Sequence, residues 1–146
     1  MLPCPFTKQY AMSYNIIDIE GIGETYAAKL NKQGVASTDD LLVKAGTKKG
    51  REYLAEAAGL PENLMLTWVN HADLMRIKGV AGQFSELLEA SGVDTVKELA
   101  QRNAENLHNK MLETNEKFGL SGTVPSTTAL QAMIDQAKTL EQKVFH

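Results

Sequence analysis

The chain has 146 residues, of which 43% are hydrophobic and 23% are charged, so it is long enough for one globular domain or two very small fused ones. Its single cysteine, Cys4, cannot form an internal disulfide or a thiolate zinc site, which excludes a disulfide-rich secreted scaffold. The formal net charge of −3 counts against a diffuse electrostatic affinity for nucleic acid. Any such binding must therefore come from a local site.

The first residues do not resemble a targeting segment. They are too short, and too interrupted by Pro3 and Pro5, for a signal peptide, and no apolar run approaches the roughly 20 residues of a membrane span. We therefore expect a cytoplasmic protein with no membrane partner. Because Met12 opens a second plausible start, residues 1–11 are interpreted as an upstream extension, and residues 1–13 as a leader outside the fold.

The chain contains an internal repeat. Residues 19–42 and 77–100 match in a constant register of 58 residues, which pairs glycine with glycine at Gly21 and Gly79. Later matches are 66 residues apart, so the second copy contains eight extra residues, most simply at 119–126. The repeat predicts two units, residues 14–74 and 75–146, within one compact domain.

Capping residues and amphipathic segments predict helices in the first unit. In chain order, the predicted features are an ambiguous segment at 14–18, a helix ended by Gly34, an N-cap at Ser37 to Asp40, a helix from Thr47 to about Ala58 ended by Gly59, and a helix from about Pro61 to Met75.

The second unit repeats these signals. Gly92 is predicted to end a helix, and Thr95 with Glu98 has the spacing of a capping box. Ser126 is predicted to cap a last helix whose apolar residues recur at 3.5-residue spacing through Val144. Strand signals are nearly absent, so the predicted fold class is all-α, with the last helix covering a shared core.

Each unit has a glycine-rich turn before a helix. We call residues 19–25 the first hairpin and residues 77–83 the second hairpin. Glycine permits the positive φ of a tight turn, and such a turn leaves backbone N–H groups unpaired at a helix N-terminus, where the helix dipole favours an anion. Phosphate contacts are therefore predicted at Gly21, Ile22, Gly23 and Thr25 in the first hairpin, and at Gly79, Val80, Gly82 and Gln83 in the second.

The first hairpin, a GhGxxxA pattern from Gly21 to Ala27, resembles the helix-hairpin-helix motif, which holds the DNA backbone through hairpin amides and a nearby Lys or Arg without reading sequence. GREYLAEAAGL (50–60), WVNHADLMRIKGV (68–80), LLEASGVDTVKELAQRNAENL (87–107) and VPSTTALQAMIDQAKTL (124–140) resemble an uncharacterised bacterial family of tandem helix-hairpin-helix proteins. That family is a domain of unknown function, sometimes labelled flap-endonuclease-like DNA-binding. The resemblance covers nearly everything from Tyr14 onward. It implies two tandem units packed about a pseudo-twofold with a C-terminal covering helix, and a nucleic-acid role.

The distribution of charge favours the second hairpin. Asp18, Glu20 and Glu24 surround the first hairpin and would repel a phosphate, whereas Arg76 and Lys78 accompany the second. The densest basic cluster includes Lys48, Lys49 and Arg51, and these three residues are added to the predicted phosphate site.

Each of these features also has a structural interpretation. Both hairpins can be compact helix connections, and the basic cluster can be a solvated first turn of a helix. Asp73 lies three residues before Arg76, so this pair can support the second hairpin instead of binding a ligand. Trp68, Tyr26 and Phe84 are predicted to be core residues.

The sequence gives no support for catalysis by this chain alone. No His, Cys, Asp or Glu set has metal-ligand spacing, and no carboxylate cluster could hold the two divalent ions of a flap nuclease. No catalytic residue, metal or cofactor is predicted.

Two non-catalytic functions remain open, with an enzyme as a weaker third possibility. One is a module that binds DNA, or another phosphate-bearing polymer, through the hairpin amides. The other is an adaptor that binds a protein partner through the same helical scaffold.

Overall fold

A computed structural model describes residues 12–146, which form eight α-helices and no strand, so the predicted all-α class is confirmed. Residues 1–11, which include Cys4 and most of the predicted leader, lie outside the described part. The helices are α1 (Glu24–Lys32), α2 (Thr38–Ala45), α3 (Lys48–Ala58), α4 (Glu62–Leu74), α5 (Gly82–Ala90), α6 (Val96–Leu99), α7 (Ala104–Phe118) and α8 (Thr127–Ala137), and a 3-10 turn spans Ile16–Asp18.

Several predicted helix ends are confirmed by their caps. The Thr47 hydroxyl accepts the N–H of Gly50 at 3.0 Å at the start of α3, and Gly59 ends that helix with φ +71°. Ser126 caps α8 in the same way as Thr47 caps α3. Local sequence alone therefore determines where these helices start or stop.

The complete capping box is found at Ser37 and Asp40 in the first unit, whereas the sequence predicted it at Thr95 and Glu98 in the second. Ser37 accepts the N–H of Asp40 at 3.0 Å, and the Asp40 carboxylate accepts the N–H of Ser37 at 3.2 Å. The N–H of Ala36 also donates to Asp40, and this hydrogen bond is the main cause of a lowered pKa for that carboxyl group. At Thr95 only half of the box exists, because the Glu98 carboxylate pairs with Arg102 at 3.6 Å instead.

The buried apolar side chains form two clusters. The first unites residues of α1 to α4 with the segment before α1, and Trp68 and Met65 are among its large, almost fully buried members. The second unites residues of α5 to α8 with Leu74 at the end of α4. The buried apolar residues of α8 all belong to the second cluster, so the last helix does not cover a core common to both.

The segment after α8 is not helical, although the sequence predicted a continuous helix there. The apolar periodicity predicts a helix through Val144, but α8 ends at Ala137 and the following residues are non-helical. Val144 is buried in the first cluster, and the N–H of Phe145 donates to the carbonyl of Gly46 at 2.7 Å. The C-terminal segment, residues 138–146, therefore crosses from the second cluster to the first, which a continued helix could not do.

Glycine is required where this segment passes α2. A Cβ on Gly46 would lie 2.3 Å from the carbonyl oxygen of Lys143 and 2.6 Å from that of Leu42. Neither backbone oxygen can move aside as a flexible side chain could.

No helix within residues 12–146 combines the length and the apolar character needed to cross a membrane.

Candidate nucleic-acid interface

The two hairpins have the same backbone geometry. Gly21 has φ +91° and Gly79 has φ +92°, values that favour glycine in both turns. In each hairpin one amide closes the turn: Ile22 donates to Ile19 and Val80 donates to Ile77, both at 3.1 Å. The side chains of Ile22 and Val80 are buried, so neither residue offers a free amide or an exposed side chain to a ligand.

Each hairpin leads into a helix whose first turn has no side-chain cap. Gly23 precedes α1 and Ala81 precedes α5, and neither position supplies a capping hydrogen bond. The first turn of α1 contains Glu24, whereas that of α5 contains no acidic residue. The N-terminus of α5 is therefore the better place for an anion.

The two hairpins lie against each other. A Cβ on Gly82 would lie 3.2 Å from the carbonyl oxygen of Asp18 and 3.4 Å from the carboxylate Oε1 of Glu20. Glu20 of the first hairpin thus places its negative charge beside the first turn of α5. In the repeat, Glu20 occupies the position of Lys78, so equivalent positions of the two hairpins have opposite charges.

Arg76 is a buried residue with a structural role. The residue is 4% exposed, and its guanidinium donates to the Asp73 carboxylate at 2.7 Å and to the carbonyl of Glu141 at 2.9 Å. Asp73 also accepts the N–H of Val96 at 2.8 Å. The guanidinium of Arg76 therefore donates to groups within the protein and stabilises the fold. Arg76 is not open to a phosphate, in contrast to the prediction.

Burial affects the ionisation of Asp73. It is the main cause of a raised pKa for the Asp73 carboxyl, while the N–H of Val96 and the guanidinium of Arg76 act in the opposite direction. The Asp73 to Arg76 spacing seen in the sequence is thus used for an internal ion pair.

The basic residues at the start of α3 differ in exposure and in role. Lys48 and Lys49 are exposed, as a surface interaction requires. Arg51 is 6% exposed and donates to the carbonyls of Ala45 at 3.2 Å, Gly46 at 2.8 Å and Phe145 at 2.7 Å. Arg51 therefore fixes the C-terminal segment and is not open to a phosphate.

Lys78 is the exposed cation of the second hairpin. No ion pair occupies its ammonium group among residues 12–146. Its backbone N–H donates to the side-chain Oε1 of Gln136 at 2.9 Å, which anchors the hairpin to α8. Of the remaining predicted residues, Gly21, Gly23, Thr25, Gly79 and Gln83 are exposed and Gly82 is half-buried.

A cleft of about 730 Å³ lies between the second hairpin and α8. Lys78 and Gly79 form one side of it, and α8 forms the other. Gln136 lies at this boundary and was not identified from the sequence, because no local signal predicts its contact with a residue 58 positions away. The sequence therefore located the hairpin but not the cleft beside it.

The predicted core aromatics are buried or half-buried. Trp68 is 2% exposed and its ring lies 5.0 Å from that of Tyr26, while Phe84 packs against the second cluster. The indole nitrogen of Trp68 lies 3.7 Å from the place that a Cβ on Gly21 would take, so the first hairpin rests on this ring.

Within residues 12–146, no three His, Cys, Asp or Glu side chains are grouped closely enough to hold a metal ion.

A family model described as a domain of unknown function (DUF4332) matches residues 20–140, and the chain belongs to this family. No curated protein and no solved structure matches the chain.

The burial of Arg51 gives the first testable prediction. Replacing it by Met removes the guanidinium donor from three backbone oxygens, of which only that of Gly46 is known to keep another donor, the N–H of Phe145, and we expect Arg51→Met to lower the free energy of unfolding by about 1–3 kcal/mol. Lys49→Met is the matched control on the same helix, and it should change the free energy by less than about 0.5 kcal/mol. Urea denaturation measures both. Equal effects would contradict the structural role of Arg51.

Proposed function

We propose that the chain binds the phosphate backbone of DNA, without reading sequence and without catalysis, chiefly through the second hairpin. The observation that supports this most is the exposed, uncapped start of α5, which has no acidic residue in its first turn and lies beside exposed Lys78. Free amides and one ammonium group together favour an anion with several oxygens. A backbone phosphate fits that description.

The repeated turn supports the finer interpretation of the fold. The positive φ and the closing hydrogen bond of Gly21 and Ile22 recur at Gly79 and Val80, 58 residues later. This recurrence supports two helix-hairpin-helix units that are packed about a pseudo-twofold. The same proposal places the chain in the cytoplasm, where it would meet nucleic acid.

The two hairpins are unequal partners in this proposal. The first has exposed amide-bearing residues at Gly23 and Thr25, but Asp18, Glu20 and Glu24 are exposed around it. Their charges repel a phosphate at short range. We therefore assign the first hairpin a secondary role, with Lys48 and Lys49 as additional cations that extend the contact along the DNA backbone.

Salt dependence tests the proposal directly. We expect binding to duplex, single-stranded and branched DNA, with affinity falling by about 0.9 log unit per log unit of salt for each phosphate neutralised. Lys78→Ala should lower that slope by about one unit, whereas Lys97→Ala, the removal of an exposed lysine on α6, should leave it unchanged. Fluorescence anisotropy at several salt concentrations measures both. Absence of binding to all three DNAs at low salt would rule the proposal out.

Gln83→Glu separates binding from stability. Gln83 is exposed in the first turn of α5, where a carboxylate stabilises the helix by about 0.3–1 kcal/mol and repels a phosphate. We expect DNA affinity to fall about 5-fold, equivalent to roughly 1 kcal/mol of repulsion, while Tm does not fall. Gln101→Glu introduces the same charge after α6 and should leave affinity unchanged. If both variants bind DNA as the wild type does, the start of α5 is not the phosphate site.

Glu20 should oppose DNA binding, since its carboxylate lies beside Gly82. We expect Glu20→Gln to raise DNA affinity about 3- to 5-fold and to lower the free energy of unfolding by up to about 1 kcal/mol, because a favourable charge is lost near a helix N-terminus. Glu116→Gln removes the same charge from an exposed position on α7, outside both hairpins, and controls for net charge. Equal gains in affinity from both variants would show that only net charge matters.

A protein-interaction adaptor is the second candidate function. The cleft beside the second hairpin favours it, because Ala129, Ala132 and Met133 give that cleft an apolar wall. An adaptor would bind its partner with weak salt dependence and would show no affinity for DNA. The anisotropy experiment therefore distinguishes the two functions.

A further inference from the structure

The cleft between the second hairpin and α8 shares residues with the proposed phosphate site. Lys78 and Gly79 belong to the hairpin and also line the cleft. Its volume, about 730 Å³, lies within the range of roughly 300–1,000 Å³ that is typical of ligand sites. A ligand whose charged group rests on the hairpin can therefore place a neighbouring group in the cleft.

Gln136 provides an unpaired hydrogen-bond donor at this cleft. Its side-chain Oε1 accepts the N–H of Lys78, which fixes the orientation of the amide, and its Nε2 has no acceptor among residues 12–146. The residue is only 7% exposed. A buried N–H without a partner is unfavourable, so a ligand oxygen or ring nitrogen that accepts it would be favoured.

The walls of the cleft suit a flat, uncharged ring. Ala129 and Ala132 are small, and the thioether of Met133 is of the kind that makes favourable contacts with aromatic rings. The methyl end of Met133 lies 3.2 Å from the place that a Cβ on Gly79 would take, so this wall adjoins the hairpin.

Asp135 determines which part of a nucleotide can enter. It lines the cleft, and its Oδ1 accepts the side-chain N–H of Gln131 at 2.9 Å. A carboxylate repels a phosphate but accepts N–H groups such as those on the edges of bases. The phosphate is thus directed to the hairpin and the base to the cleft.

We infer that the cleft binds an unpaired nucleobase of a strand whose phosphate lies on the second hairpin, with Gln136 as donor to the base. The inference rests on the proposed DNA binding and narrows its substrate class. DNA with an unpaired base should be preferred over fully paired duplex, without strong preference for base identity.

Two duplexes that differ only in the bulged nucleotide provide the test. One has a single bulged base, and the other has an abasic nucleotide at the same bulge, so both have the same number of phosphates. We expect the wild-type chain to bind the bulged base about 2- to 12-fold more tightly, the range that one additional hydrogen bond, here from Gln136, supplies. Competition fluorescence anisotropy at one fixed salt concentration measures the ratio.

A cleft-filling substitution supplies the protein control. Ala132 is exposed on α8, so Ala132→Leu is compatible with folding, and it should remove the preference for the base while affinity for fully paired duplex is retained. Ala57→Leu makes the same change on the exposed face of α3 and should retain the preference.

The outcomes distinguish the two proposals. If both duplexes bind equally well, DNA binding stands and the inference is overturned, which leaves the cleft to another occupant such as a peptide side chain. A preference that persists in Ala132→Leu also overturns it. If neither duplex binds, the proposed function fails and the inference fails with it.

Discussion

The buried ion pair of Asp73 and Arg76 is the interaction on which the arrangement of the second hairpin depends. It joins the end of α4 to the start of α6 through the N–H of Val96, and to the C-terminal segment through the carbonyl of Glu141. The second hairpin begins directly after Arg76, so this network fixes its origin. Because both charges are desolvated, removal of one would leave the other uncompensated, which is commonly more harmful than replacement of the pair.

The hairpins share a backbone geometry but not an electrostatic environment. Glu20 of the first lies against Gly82 of the second, so the chain supplies a carboxylate beside the helix start proposed for a phosphate. The proposed anion site is thus compatible with a net negative protein, and affinity at that site would be moderated by a charge within the same molecule. In our proposal the turn geometry is repeated while only the second hairpin is suited to binding, and the cleft beside α8 extends that site.

Local features of the fold could be predicted, whereas long-range ones could not. Thr47, Gly59 and Ser126 set helix ends through contacts within one turn, which sequence spacing reveals. The 3.5-residue apolar spacing after Ala137 indicated a helix, but those residues instead extend toward the first cluster. Two hydrogen bonds fix the course of this segment. One joins Arg76 to Glu141, 65 positions away, and the other joins Arg51 to Phe145, 94 positions away. No window of sequence contains both partners.

The same limit applies to the candidate site. The glycine turns and the cation at Lys78 were evident from residue type and spacing. Whether Arg51 and Arg76 face solvent depends on distant carbonyls, and sequence spacing does not show it.

Both arginines bind the C-terminal segment through main-chain oxygens, those of Glu141 and Phe145. Every amino acid provides such an oxygen, so the route of this segment is independent of the side chains at these two positions. The exposed side chains at Glu141 and Phe145 can therefore vary in chemistry without loss of these two hydrogen bonds, whereas Val144 between them is held by burial in the first cluster.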